Sequence, residues 1–216
     1  MLFRSDPMAT DLPEGAKRVD ALADIEPDND LAVVLAVKPQ VFPAIGDSLR
    51  PFAARDALFV SIMAAITLQG LGDALGSSRA VRTMPNTPAA IGQGITGAVA
   101  GRDVRMSDFA TVNALLAPTG PVVWLDDERQ IDAVTAVSGS GPAYFFRFTE
   151  ALAKAGAAAG LPADLAMQLA RATFTGAAAL AGADPAELAE LRKQVTSPGG
   201  TTAAGLMQME QDHAND

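Results

Sequence analysis

Apolar runs rich in β-branched residues alternate with Ala-rich segments over residues 31–125, and this alternation limits the possible folds most. The unbroken run 31–37 ends at Lys38–Pro39, as expected of a strand buried on both faces in a parallel sheet. Similar runs predict strands at 57–63, 80–83, 95–100 and 121–125, with helices near 41–54, 67–75 and 107–116. Strand and helix in alternation predict a doubly wound α/β sheet.

Beyond residue 126 the strand-like runs give way to Ala-rich helical segments. Capping signals predict where these helices begin and end. The first helix is predicted to begin at Ser140–Pro142 and to end at Gly160, and the second to cover 162–181. A capping box at Asp184–Glu187 is predicted to open a third helix that runs to about Val195, and a last helix starts at Thr201 or Thr202. The aromatic run Tyr144–Phe146 is expected in helix core, and Asp126–Glu128 is expected to be a solvated acidic turn. The chain is therefore predicted to join an α/β part to an all-α part.

Composition excludes several classes of function. The 216 residues include no cysteine and one histidine, His213, so a disulfide scaffold, a thiolate metal site and a Ser-His-Asp triad are not expected. The net charge of −9, without a Lys/Arg cluster, argues against nucleic acid as a partner. No apolar run has the length of a bilayer span and no signal peptide is recognisable. We expect a cytoplasmic protein with no membrane partner and no metal.

Three unusual sequences follow predicted strands, where doubly wound sheets bind ligands. They are Lys38-Pro39-Gln40, Ser61 with the four residues after it, and Met84-Pro85-Asn86 with the Thr-Pro that follows. Each also has a plain explanation: a strand stop with a solvated amine, a cap for the next turn, and a rigid loop. Together they are more informative, because the carboxyl ends of these strands share one sheet edge.

Two Gly-containing segments precede predicted helices. In 138–142, two glycines permit close backbone approach and the N–H groups at the helix start favour an anion, although a domain hinge explains the segment equally well. In Ser197–Thr202, small residues lead into a helix N-terminus, so several N–H groups can converge on a carboxylate or phosphate. Thr201 and Thr202 add hydroxyls that donate and accept. Ligand binding is favoured over a flexible connector for this second segment.

The segments 36–40, 82–88, 136–144 and 195–202, in this order, resemble Δ1-pyrroline-5-carboxylate reductase. The resemblance covers residues 31–207 and implies hydride transfer from NADPH, with NADH as the alternative, to the C5=N imine of a small-molecule substrate, giving L-proline. It implies a partial NAD(P)-binding Rossmann-like domain over 1–125 and a helical dimerisation and substrate domain over 126–216. A homodimer or larger homo-oligomer would form through the helical domain.

The resemblance also implies roles for individual residues. On the cofactor side it places Val37, Lys38, Pro39, Ser61, Met84, Pro85 and Asn86. On the substrate side it places Ser140, Gly141, Ser197, Gly199, Gly200, Thr201 and Thr202, with the N–H groups of Gly199 and Gly200 on the substrate carboxylate. The threonine that matches Thr202 hydrogen-bonds the ring nitrogen, and Thr202 is therefore the candidate catalytic residue.

The chain departs from the family pattern in ways that keep two alternatives open. Family members begin with a strand and a Gly-rich pyrophosphate loop, whereas Gly15 is the only glycine before Gly46, so residues 1–30 are expected to replace or truncate that unit. The chain also stops soon after Met207, and 184–191 is longer than usual. One alternative is a non-catalytic dimerising remnant. The other, a 3-hydroxyacid or 6-phosphogluconate type dehydrogenase, is disfavoured because 141–147 carries no lysine.

Overall fold

The structure, a computed structural model, describes Val19, residues 21–25 and residues 31–213. The expectation that residues 1–30 replace a first strand and loop falls mostly outside the described residues. The strands are β1 (Ala32–Leu35), β2 (Leu58–Ser61), β3 (Ala80–Met84), β4 (Thr96–Ala100) and β5 (Val122–Trp124). The α-helices are α1 (Phe42–Ala53), α2 (Leu68–Leu75), α3 (Met106–Leu116), α4 (Gln130–Val134), α5 (Gly141–Ala158), α6 (Ala163–Ala183), α7 (Leu188–Gln194) and α8 (Thr201–His213).

The strands form one sheet in the order β1-β2-β3-β4-β5. The strands β1, β2 and β3 run parallel, with Leu35 opposite Ser61 and Ser61 opposite Arg82. The strand β4 is antiparallel to β3, and β5 is parallel to β4. The change of direction follows from the connection, since only a short 3-10 turn at Thr87–Ile91 lies between β3 and β4, without the helical crossover that a parallel pair requires.

Helices cover both faces of this sheet, which confirms the predicted doubly wound class. Phe59 faces a cluster formed with α1 and α2, whereas its neighbours Leu58 and Val60 face a cluster that includes Val112 of α3. Met84, Val99 and Ile131 form a third cluster where α4 packs on the sheet. The alternation of successive side chains between the two faces of a strand produces this division.

The first strand is less buried than its sequence predicts. Leu35 is buried, but Val34 is 43% exposed, because β1 lies at the edge of the sheet that the described residues form. The expectation that this strand is covered on both faces is therefore wrong for the described part of the chain. The sequence of β1 is as apolar as that of β2, which is buried at every position, so composition alone does not distinguish the two strands.

The helices after residue 140 follow the predicted order, but the start of α7 differs from the prediction. The predicted capping box at Asp184–Glu187 is wrong, because α7 begins at Leu188. Asp184 instead ends α6: its N–H donates to the Leu180 carbonyl at 2.9 Å, and its Oδ1 accepts from the Ala186 N–H at 2.9 Å. Pro185, which has no N–H, separates the two helices.

The helical region buries little apolar surface in a single chain. The side chains of α5 and α6 meet through small residues, and Ala153, Ala166 and Ala170 are buried. The predicted core position of Tyr144–Phe146 is wrong for one copy, since these three side chains are 61%, 59% and 56% exposed. Phe145 and Phe146 do contact Phe174, with ring centroids 5.9 and 6.4 Å apart.

The chain forms two compact units, residues 1–143 and 144–216. The predicted domain boundary at residues 125 and 126 stays a prediction. No helix within the described residues is long and apolar enough to cross a membrane.

A bidentate ion pair fixes the amino end of β3. Arg79 Nη2 and Nε lie 2.7 and 3.0 Å from the two carboxylate oxygens of Asp108, which also accepts the Arg105 N–H at 2.8 Å. Asp108 is 3% exposed. Its hydrogen bond from Arg79, more than any other contact, lowers the pKa of this carboxyl below its usual 3.8.

This pair predicts a pH dependence of stability. Because the folded-state pKa of Asp108 is lowered, its contribution is present above about pH 4 and is lost as the pH falls through the folded value. We expect Asp108→Asn to reduce the free energy of unfolding by about 2 to 3 kcal/mol at neutral pH, measured by urea denaturation. The difference from the unchanged chain should shrink below pH 4. The exposed Asp103→Asn is the control, and an equal loss in both variants would contradict the prediction.

A second prediction concerns Ala65, which has a φ of 63° in the loop between β2 and α2. An L-residue pays a steric cost in this left-handed region that glycine avoids. We expect Ala65→Gly to raise the free energy of unfolding by about 0.5 to 1 kcal/mol. Its neighbour Ala64, also exposed and without a positive φ, provides the matched control: Ala64→Gly should lower stability by a similar amount. If both substitutions changed the free energy of unfolding in the same direction, the left-handed conformation of Ala65 would have no measurable cost.

Candidate functional site

The carboxyl ends of β1, β2 and β3 lie at one edge of the sheet, as the parallel register requires. This edge therefore carries the three segments singled out from the sequence. The first is a turn in which the Val41 N–H donates to the Lys38 carbonyl at 2.9 Å. Val37 and Pro39 are partly buried, whereas Lys38 is exposed. The turn therefore carries a solvent-accessible Lys38 amine.

The second segment follows β2, and its predicted residue Ser61 is fully buried. Ser61 Oγ accepts from the Met63 N–H at 3.3 Å, and its carbonyl accepts from the Thr83 hydroxyl at 2.8 Å. These contacts anchor the start of the loop. Ala64 and Ala65 in this loop are exposed, so the backbone there is what a ligand could reach.

The third segment follows β3 and contains Met84, Pro85 and Asn86. Met84 is 8% exposed and packs in the α4 cluster, and Pro85 is partly buried. Asn86 Oδ1 accepts from the Ile95 N–H at 3.0 Å. Since a backbone N–H can only donate, this bond fixes the orientation of the Asn86 amide and leaves its NH₂ group as the donor for other contacts.

An ion pair that the sequence interpretation missed lies behind these loops. Arg82 Nη1 is 2.8 Å from Glu128 Oε1, which also accepts the Leu68 N–H at 2.7 Å. The expectation of a solvated turn is therefore wrong for Glu128, although Asp126 is exposed. Asp127 contacts Arg129, whose hydrogen bond lowers the pKa of Asp127 to about 2. The sequence signal for this pair was Arg82, the single charged residue in the run predicted as the third strand.

The segment 138–141 does not form the predicted capped helix start. Residues Thr135–Gly139 form a π-helical turn that continues from α4, and the Ser140 N–H donates to the Thr135 carbonyl at 2.8 Å. Ser140 has helical backbone angles and its N–H is not available to an anion. The segment lies beside the carboxyl end of β3, because a Cβ at Gly139 would lie 3.7 Å from Met84 Sδ.

Gly141 has no local reason to be glycine. Its φ is not positive, and a Cβ built there would meet no atom within 4 Å among the described residues. The absence of a side chain therefore leaves space beside the first turn of α5, which is compatible with close approach of another group.

The segment Ser197–Thr202 forms a tight turn followed by α8. The Gly200 N–H donates to the Ser197 carbonyl at 3.1 Å, and Gly199 between them has a φ of 71°. With Pro198 in the second position, this is the pattern of a type II turn, which requires glycine in the third. The Gly200 N–H is therefore used inside the turn, and its predicted contact with a carboxylate conflicts with this bond.

The N-terminus of α8 supplies other donors. Its first intrahelical bond is from the Ala204 N–H to the Gly200 carbonyl, at 3.1 Å. The N–H groups of Thr201, Thr202 and Ala203 thus have no acceptor within the helix, and both threonines are exposed. Such a helix start favours an anion.

Comparisons with known proteins point to one family. A family model described as pyrroline-5-carboxylate reductase dimerisation matches residues 128–216. The pyrroline-5-carboxylate reductase of Pseudomonas aeruginosa is 46% identical over 189 residues, which cover 87% of this chain and 69% of the relative.

The chain belongs to the pyrroline-5-carboxylate reductase family. A solved reductase from Coxiella burnetii superposes with a TM-score of 0.79 at 34% identity, over 85% of this chain and 69% of that one. The Plasmodium falciparum enzyme, solved with NADP bound, gives 0.74 at 30% identity, over 85% and 70%. The chain spans about two thirds of the length of the curated relatives it matches.

Family membership explains the exposed apolar side chains of the helical unit. The matched model is a dimerisation region and includes α5 with its exposed aromatic residues. Large exposed apolar patches on a folded chain mark interaction surfaces. The predicted resemblance and fold class are thereby confirmed, together with a homo-oligomer built through the helical region.

The turn before α8 yields a testable pair of substitutions. Gly199→Ala forces a Cβ into a left-handed turn position, and we expect the free energy of unfolding to fall by about 1 kcal/mol. Gly205 lies inside α8, where a Cβ would meet no atom within 4 Å among the described residues. Gly205→Ala should therefore raise stability by about 0.5 to 1 kcal/mol. Thermal unfolding of both variants checks the prediction, and a stabilising Gly199→Ala would overturn the turn assignment.

Proposed function

We propose that this chain catalyses the NADPH-dependent reduction of Δ1-pyrroline-5-carboxylate to L-proline, by hydride transfer to the C5 carbon of the imine. The observation that carries the proposal is 46% identity to a reductase of that name across 87% of this chain. The exposed Lys38 side chain after β1 and the N–H groups at the start of α8 support the proposal.

The sheet edge is the proposed cofactor side, with Val37, Lys38, Pro39, Ser61, Met84, Pro85 and Asn86. The residues fit a dinucleotide in two respects. The exposed Lys38 amine suits a phosphate, and Asn86 holds an oriented NH₂ donor. When bound, NADPH supplies the hydride that the imine carbon receives. Ser61 would contribute by anchoring the loop backbone, since its hydroxyl is buried.

The start of α8 is the proposed carboxylate site. The free N–H groups of Thr201, Thr202 and Ala203, with the positive end of the helix dipole, can hold the substrate carboxylate without a cationic side chain. Ser197, Gly199 and Gly200 shape the turn that exposes them. Ser140 and Gly141 remain proposed substrate-side residues, Gly141 through the space it leaves rather than through a capping bond.

Thr202 is the proposed catalytic residue. The protonated imine nitrogen carries an N–H that a hydroxyl oxygen can accept, and this bond would orient the ring for attack at C5. A protonated imine is already electrophilic, so orientation of the two reactants is the main task left to the protein. The hydride forms the new C–H bond at C5, the π electrons of the C=N bond move to the nitrogen, which keeps its proton, and the saturated ring of L-proline results.

The reductase assay provides the direct test of the proposed function. Purified chain is mixed with pyrroline-5-carboxylate and NADPH, and the loss of NADPH and the formation of L-proline are measured together, with NADH in parallel. Equal molar change in both supports the proposal. Carboxylate binding and dimerisation without turnover or detectable NADPH binding would instead show a non-catalytic remnant. We also propose a cytoplasmic location, which fractionation of cells that produce the chain would test.

Substitution of Thr202 tests its role. Thr202→Val keeps the shape and removes the hydroxyl, and we expect kcat/KM for pyrroline-5-carboxylate to fall by about 10²-fold. Thr202→Ser, which keeps the hydroxyl, should retain most of the activity. Thr111→Val on α3 makes the same change at an exposed residue that belongs to neither proposed set, and it serves as control. Full activity in Thr202→Val would exclude the proposed hydrogen bond.

A further inference from the structure

A single carboxylate oxygen of Glu128 joins two elements of the proposed cofactor side. It accepts the Leu68 N–H at 2.7 Å and lies 2.8 Å from Arg82 Nη1. Leu68 is the first residue of α2, so the carboxylate occupies the place of an anion at that helix start. Glu128 itself lies between β5 and α4, far along the chain from both partners.

Arg82 depends on this contact. It is 6% exposed, and its Nε atom is buried without a hydrogen-bond partner among the described residues. Its side chain shares a sheet face with Ser61 and Val99, its neighbours in register. Removal of the Glu128 carboxylate would leave a buried cation uncompensated, so the two side chains are strongly linked.

The Arg82–Glu128 pair fixes the carboxyl-terminal end of the loop 62–67, which connects β2 to α2. At the near end, the Ile62 N–H donates to the Leu35 carbonyl at 3.2 Å, and Ser61 is held by Thr83. At the far end, Thr67 Oγ1 caps α2 through the Gly70 N–H at 3.0 Å, and Glu128 holds the next residue. Between these anchors lies Ala65 in its unfavourable left-handed conformation, which persists only where the surroundings enforce it.

We propose that Glu128 and Arg82 are positioning residues for this loop. They act through the start of α2 to hold the exposed Ala64–Ala65 backbone at the sheet edge in a shape ready for the cofactor. The inference rests on the proposed function for its effect on NADPH, but the effect on the loop itself is independent of any ligand. Neither side chain is required to touch substrate or cofactor.

Amide hydrogen exchange of the complete chain tests the effect on the loop. In Glu128→Ala, exchange at Leu68 and at the loop amides should accelerate at least roughly tenfold relative to the β4 amides. Glu128→Gln keeps an oxygen acceptor without the charge and should give an intermediate rate. Asp126→Asn removes an exposed carboxylate two residues away and should change nothing. If Glu128→Ala does not fold, Glu128→Asp, which withdraws the carboxylate by one methylene, should show the same local acceleration.

Kinetics separates positioning from a purely structural role. We expect Glu128→Gln to raise the Kd and KM for NADPH about 5- to 20-fold while kcat at saturating NADPH stays within about twofold. Wild-type exchange rates in the loop of both Glu128→Gln and Glu128→Asp would overturn the inference. Faster loop exchange with unchanged NADPH affinity would also overturn it. If the unchanged chain binds no NADPH, the proposed function fails, and the exchange rates alone decide whether the pair holds the loop.

Discussion

The parallel register of β1, β2 and β3 is the constraint on which the proposed cofactor side depends. Because Leu35, Ser61 and Arg82 lie in line across the strands, the segments that follow them leave the sheet at the same edge. The segments that begin at Lys38, Ile62 and Pro85 therefore lie at one end of the sheet. Because β4 is antiparallel to β3, it begins at this same end of the sheet, where Gly97 pairs with Met84, the last residue of β3.

Polar contacts inside the first unit then fix the shape of that edge. Glu128 reaches back to β3 and α2, and Asn86 reaches forward to Ile95. Each bond joins segments that are distant or irregular, where regular backbone pairing is missing. Loops on a rigid sheet can present ligand-binding groups only when such contacts limit their freedom.

The second unit leaves many apolar side chains exposed to solvent in a single copy of the chain. Its buried residues include Ala153, Ala166 and Ala170, while Phe145, Phe148 and Leu180 remain more than half exposed. A pair of Ala-rich helices buries too little apolar area to offset the loss of chain entropy by itself. The match to a dimerisation family supplies the missing partner, a second copy of the chain.

The sequence by itself determined the order and type of the elements, because apolar periodicity and capping residues act over a few neighbours. The strand at 57–63, the helix near 67–75 and the turn before α8 were predictable for this reason. It also supplied the family, through motifs whose residues are local. Two features could not be predicted in this way: the Arg82–Glu128 pair and the exposed face of β1. Only the tertiary structure decided these, because partners 46 residues apart meet through packing that no local pattern encodes.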